Sequence, residues 1–141
     1  CDDMPAAYMI STVVVAPSLV PEGFGRVAVE AQAMGRAVIV TDHGGAQETV
    51  VRDETGWLVP PGDVKALVRA LKGALSLDAR QRAMLGTQAM SHVLKNFTNE
   101  RMCAETLDVY ADLLLPGIRA DRASNDAGIE RNDEEKAAAQ G

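Results

Sequence analysis

Cysteine is scarce in this 141-residue chain, dense clusters of lysine or arginine are absent, and no uninterrupted apolar run approaches membrane length. Each scarcity removes a class of function. Cys1 and Cys103 lie far apart and show no metal-ligand spacing, so neither a disulfide framework nor a zinc site is indicated, and reduced thiols in a cytoplasmic protein are expected. A net charge of -6 without a basic patch argues against nucleic acid as a partner. Met4 to Pro21 carry no charge, yet Pro5, Pro17 and Pro21 and the polar Ser11, Thr12 and Ser18 interrupt the stretch. It reads as loop plus buried strand, and no transmembrane segment is expected. No internal repeat is found, and the chain starts at Cys1 with neither a methionine nor a signal sequence. The chain is read as a fragment whose true N-terminus lies upstream or was removed.

What is present suits one soluble α/β domain. Hydrophobic residues make up 47% and charged residues 24% of the chain, ordinary values for a globular protein with a core. CDDMPAAY reads as a loop ending in a short helical turn, and residues 12–16 as a strand. A helix carrying Val27, Ala28, Ala31 and Met34 ends at Gly35, and Ala37 to Thr41 suits a strand buried on both faces. That βαβ unit predicts parallel strands. Gly44 and Gly45 form a tight turn before a helix near Ala46, with Glu48 in its start, and Trp57 to Val59 add a strand with Trp57 in the core. Asp63 caps a helix with the apolar face Val64, Leu67, Val68, Leu71 and Leu75, leaving Lys65, Arg69 and Lys72 solvated. Asp78 with Gln81 forms a capping box for a helix to about Leu94. Thr98 caps a last helix carrying Met102, Leu107, Tyr110, Leu113 and Leu114, which Pro116 and Gly117 stop. Two segments follow: a domain over 1–115, and a charged tail over 116–141 expected to be disordered because it has too few large apolar side chains to offset its ordering entropy.

The most informative stretch is PEGFGRVAVEAQAMG at 21–35. It sets Glu22 and Glu30 on either side of a glycine-containing turn between strand and helix. The first amides of such a helix have no partner within it, and their dipoles place partial positive charge where a phosphate can sit. A carboxylate accepts hydrogen bonds from two neighbouring sugar hydroxyls. Because ligands gather at the carboxyl ends of parallel strands, the loops Pro17 to Phe24 and Asp42 to Gly45 should face one crevice. Taken singly, Glu22 reads as a surface loop residue and Glu30 as a solvated helix residue. Ser18 reads as bonding its own loop, His43 as a polar loop residue, and His92 has no role.

Three blocks in register, 21–35, AVIVTDHGGAQETV at 37–50 and TGWLVPPGD at 55–63, resemble the C-terminal, donor-binding domain of the family 4 (group 1) glycosyltransferases with the GT-B fold. The resemblance implies a Rossmann-like parallel sheet flanked by helices, forming part of that domain. It implies transfer of a sugar from a nucleotide diphosphate sugar to a lipid-linked or saccharide acceptor, with retention, in cell-surface polysaccharide or glycolipid synthesis. Glu22 is then the catalytic residue that meets the transferred sugar, Glu30 the ribose acceptor, and Gly23, Phe24, Gly25, Arg26 and Val27 line sugar and diphosphate. No cofactor and no required metal are implied. The acceptor domain and a basic diphosphate-gripping pair belong upstream of Cys1, so the fragment alone is expected to be inactive, with any peripheral membrane association made through the missing domain. Ser11 and Thr12 stand where alanine-aspartate is common, and Ala37 where proline is frequent; all lie away from the proposed contacts. The alternatives are a non-catalytic nucleotide-binding module and a sugar-nucleotide epimerase on the same fold.

Overall fold

A computed structural model describes residues 3–114, so the tail expected over 116–141 lies outside the described residues. The chain divides into two units, residues 1–98 and 99–141.

The first unit is organised around three short strands whose side chains alternate between two apolar faces. Strands β1 (Val13–Ala16), β2 (Ala37–Thr41) and β3 (Gly56–Val59) form a parallel sheet in the order β1-β2-β3. Val14 pairs with Val38, and Ile39 with Trp57. Helices α1 (Met4–Ile10) and α2 (Arg26–Ala33) cover one face, where Tyr8, Ala28 and Ala31 pack with Val14, Ala16, Val38, Val40 and Leu58. On the other face Val13, Val15, Ile39, Trp57 and Val59 meet the one-turn-removed residues of a longer helix, α4 (Val64–Ser76). β2 is buried along its whole length, as its β-branched run predicts. Full burial of Val38 and Ile39 stabilises by roughly 1.5–3 kcal/mol per side chain. The expected flanked parallel sheet is therefore the fold observed.

The capping chemistry reads directly from the sequence. Asp63 accepts from the Ala66 amide at 2.9 Å, and Asp78 and Gln81 form a reciprocal box at the start of α5 (Ala79–Asn96). Gly35, with φ +65, ends α2 in a Schellman cap: its amide donates to Gln32 O at 2.9 Å, and that of Arg36 to Ala31 O at 2.9 Å. α5 buries Leu85, Gly86, Ala89 and Val93. A Cβ on Gly86 would lie 2.6 Å from Gly35 O, so only glycine lets α5 settle against the end of α2.

Two expectations need correction. CDDMPAAY is no mere turn. Asp3 accepts from the Ala6 amide at 3.0 Å and Pro5 sits in the first turn, where its missing N–H costs nothing, so α1 runs for seven residues. In α4 the buried stripe is Ala66, Ala70 and Ala74, flanked by the part-buried Leu67 and Leu71, while Val64, Val68 and Leu75 are exposed. Small side chains let the helix axis approach the sheet closely, and that preference rotates the larger residues outward. Lys65, Arg69 and Lys72 are exposed, as expected.

The second unit, described by itself, contains α6 (Asn99–Leu114), which follows Thr98. It buries none of its residues, and Met102, Leu107, Tyr110, Leu113 and Leu114 are exposed. Arg101 and Glu105 pair at 2.6 Å one turn apart. No helix among the described residues is long and apolar enough to cross a membrane.

Candidate functional site

The loops leaving β1 and β2 meet at the carboxyl ends of those strands. Ser18 O accepts two hydrogen bonds, from Thr41 Oγ1 at 2.8 Å and from His43 Nε2 at 3.0 Å. A carbonyl oxygen only accepts, so Nε2 carries the histidine proton. Gly45 N donates to Glu22 O at 2.8 Å. Next to that bond, Cβ atoms on Gly44 and Gly45 would lie 2.5 Å from Glu22 O and 2.6 Å from Phe24 Cα. The glycine pair therefore does more than turn the chain ahead of α3 (Ala46–Thr49): it is the flat surface on which the Glu22 loop rests. Ser18 Oγ bonds Val20 O at 2.8 Å within its own loop, as read from the sequence. Beneath, the fully buried Gln32 donates to Ala28 O and Thr49 O, tying α2 to α3.

Between the two loops lies a crevice lined by Ala16, Ser18, Glu22, Gly25, Val27, Ala28, Val40, Thr41, His43 and Ala46. Both loops contribute to it, as the strand polarity predicts. Gly25 enters α2 with φ +76, a left-handed conformation that glycine adopts freely, and the amides of Arg26 and Val27 follow with no carbonyl ahead of them in the helix. The Glu22 carboxylate is exposed and has no hydrogen-bond partner among the described residues. Glu22 lines the crevice, and its carboxylate is uncommitted.

Glu30 is placed differently. It lines a neighbouring depression with Met4, Pro5, Tyr8, Arg26, Val27, Ala33 and Met34, and Val27 borders both depressions. Its carboxylate is held twice: Tyr8 OH donates to Oε2 at 3.0 Å and Arg26 to Oε1 at 3.0 Å. The Arg26 side chain is 83% exposed, so that ion pair stabilises by at most about 1 kcal/mol. Tyr8 is only 5% exposed and is the buried residue of α1. Of the remaining predicted residues, Gly23 lines neither depression, and Phe24 packs edge-on against Phe97, centroids 5.6 Å apart.

Burial first, then the hydrogen bond to Glu30, raises the Tyr8 pKa above its ordinary value, with Arg26 pulling weakly the other way. The folded chain thus holds this proton more tightly than the unfolded chain. The resulting stability is complete below the usual tyrosine pKa, about 10, and is lost as pH rises through the higher folded value. Thermal melts at rising alkaline pH should show wild type losing stability relative to Tyr8→Phe; parallel curves would detach the phenol from the ion pair.

Sequence reasoning missed Tyr8, which sits 22 residues from its partner, and the second role of Gly44 and Gly45. His43, expected as a polar loop residue, lines the crevice and clamps its two loops together. Among the described residues no cluster of three or more histidine, cysteine, aspartate or glutamate side chains is placed to hold a metal ion.

Residues 1–92 match the family described as glycosyl transferases group 1. A D-inositol 3-phosphate glycosyltransferase of Salinispora tropica is 45% identical over 112 residues, covering 79% of this chain and 22% of that protein. Two solved structures superimpose well. The C-terminal domain of a glycosyl transferase group 1 family protein from Francisella tularensis gives a TM-score of 0.62 at 32% identity, covering 70% of this chain and 49% of that one. Anabaena HepE, crystallised with UDP and glucose, gives 0.68 at 30% identity over 77% of this chain and 30% of its own. The chain thus spans under a quarter of the length of the Salinispora relative, at 22%.

Proposed function

The chain belongs to the group 1 glycosyl transferases, and from that premise we propose that it forms the donor-binding part of a cytoplasmic enzyme transferring a sugar from a nucleoside diphosphate sugar. The observation that carries the reading is the uncommitted Glu22 carboxylate at the crevice where α2 begins. The donor's diphosphate lies over the first amides of α2, across Val27, which borders both depressions. In that position the transferred sugar meets Glu22 and the ribose meets Glu30. The bond from the sugar's anomeric carbon to the diphosphate breaks while the acceptor hydroxyl oxygen bonds to the same face, retaining configuration, and the hydroxyl proton passes to an oxygen of the departing diphosphate. Charge gathering on the departing diphosphate is stabilised by the helix amides, with no metal required. The likeness to HepE, whose crystals hold UDP and glucose, supports a nucleotide-sugar donor. A lipid-linked or saccharide acceptor binds a second domain, in synthesis of a surface polysaccharide or glycolipid. That domain supplies the acceptor positioning, which can be worth roughly 7–11 kcal/mol of a reaction barrier, so this part alone binds donor without turning it over.

Titration calorimetry against a panel of nucleoside diphosphate sugars tests the reading. At least one should bind, and Glu30→Gln should weaken it by about 1–3 kcal/mol, the range for a hydrogen bond to a charged group. Unchanged affinity would remove Glu30 from the site.

A further inference from the structure

We propose that Tyr8 is a positioning residue for donor binding, orienting the Glu30 carboxylate so that it accepts both hydroxyls of a ribose and discriminates against a 2′-deoxyribose. The inference rests on the reading of Glu30 as the ribose acceptor and adds the residue that makes it selective. A carboxylate offers about four lone-pair sites, two on each oxygen. Tyr8 OH occupies one on Oε2, and Arg26 one on Oε1. One site then remains on each oxygen, a spacing that suits two adjacent hydroxyls of one sugar ring.

The two braces differ in stiffness. Arg26 reaches Glu30 from the same helix surface, through a side chain 83% exposed, and water competes for both partners. Tyr8 reaches it from another element. Its ring is packed in the cluster of Ala28, Ala31, Val38 and Val40, and α1, which carries it, is fixed at its start by the Asp3 cap. A buried ring with one hydroxyl direction leaves the carboxylate few rotamers, so a bound ribose loses little further side-chain entropy. The same burial, with the Glu30 hydrogen bond, raises the phenol pKa and keeps Tyr8 a proton donor throughout the physiological range. Without that hydroxyl, Glu30 is free to turn, and the second hydroxyl contact is lost more readily than the first.

The test compares ADP, GDP and UDP with their 2′-deoxy counterparts, titrated into the wild-type chain, Tyr8→Phe, Arg26→Met and Glu30→Gln. Melting curves confirm that each variant is folded. Wild type should bind at least one ribonucleotide more tightly than its deoxy form. Tyr8→Phe should weaken that ribonucleotide roughly threefold to tenfold while leaving the deoxy form nearly unchanged, so that discrimination collapses. A purely structural role for Tyr8 would weaken both forms alike and overturns the inference. Arg26→Met leaves the buried ring untouched, and should cost less than Tyr8→Phe; the reverse order would make Arg26 the positioning residue instead. If Glu30→Gln loses ribonucleotide affinity but Tyr8→Phe does not, the positioning role falls and the donor reading stands. If Glu30→Gln changes nothing, Glu30 leaves the site and the positioning role falls with it; a chain that prefers no ribonucleotide overturns the positioning role as well.

Discussion

Glu22→Ala in the whole enzyme should lower sugar transfer by roughly 100- to 1,000-fold, the loss typical of removing one preorganised group that acts on charge developing in a transition state. Affinity for the free nucleoside diphosphate should stay near the wild-type value. The expectation follows from how differently the two glutamates are held. Glu30 already satisfies a buried phenol and a guanidinium, whereas the Glu22 carboxylate makes no hydrogen bond among the described residues, and Glu22 lines the crevice with Gly25 and Val27. An unpartnered carboxylate beside the start of a helix suits contact with the part of the donor that changes during reaction. Steady-state kinetics and calorimetry on one preparation separate the two effects. Parallel loss of turnover and nucleoside diphosphate affinity would place Glu22 on the nucleotide and leave the sugar without an identified acidic partner.

Much of this arrangement is legible in the chain because it depends on short-range chemistry. A β-branched run such as Val38-Ile39-Val40 has few alternatives to a buried strand, and Asp63 and Asp78 announce their helices through amides three residues away. The strand-loop-helix context of Glu22 follows from Pro17, Pro21 and the glycines. What escaped the sequence reading needs the third dimension. A helical wheel ranks Val64, Val68 and Leu75 above alanine, yet the sheet selects Ala66, Ala70 and Ala74 because closeness of approach outweighs the area of any one side chain. Nothing within a few residues of Glu30 signals that Tyr8 will lie beneath it. Glycine pairs present the same difficulty: Gly44-Gly45 reads as a turn, and only the tertiary fold shows what rests against it.

That contact makes Gly45→Ala a severe substitution for its size. Its added methyl group would lie 2.6 Å from both Gly23 O and Phe24 Cα. These are backbone atoms, with no flexible side chain to swing aside, so relief requires moving the Glu22 loop or α3. Moving the loop breaks the hydrogen bond from Gly45 N to Glu22 O and strains the Thr41 and His43 bonds to Ser18 O. Overpacking of this kind costs about 1–3 kcal/mol. Gly73→Ala is the matched control: it adds the same methyl inside α4, where nothing lies within 4 Å, and should stabilise by about 0.5–1 kcal/mol through helix propensity. Denaturant titration should therefore move the two variants in opposite directions. Because the displaced loop carries Glu22, Gly45→Ala should also lower transfer in the whole enzyme beyond what its loss of stability explains, while Gly73→Ala leaves transfer intact. Full activity in a destabilised Gly45→Ala protein would mean that the loop relaxes without moving its carboxylate, and that the glycine pair serves the fold alone.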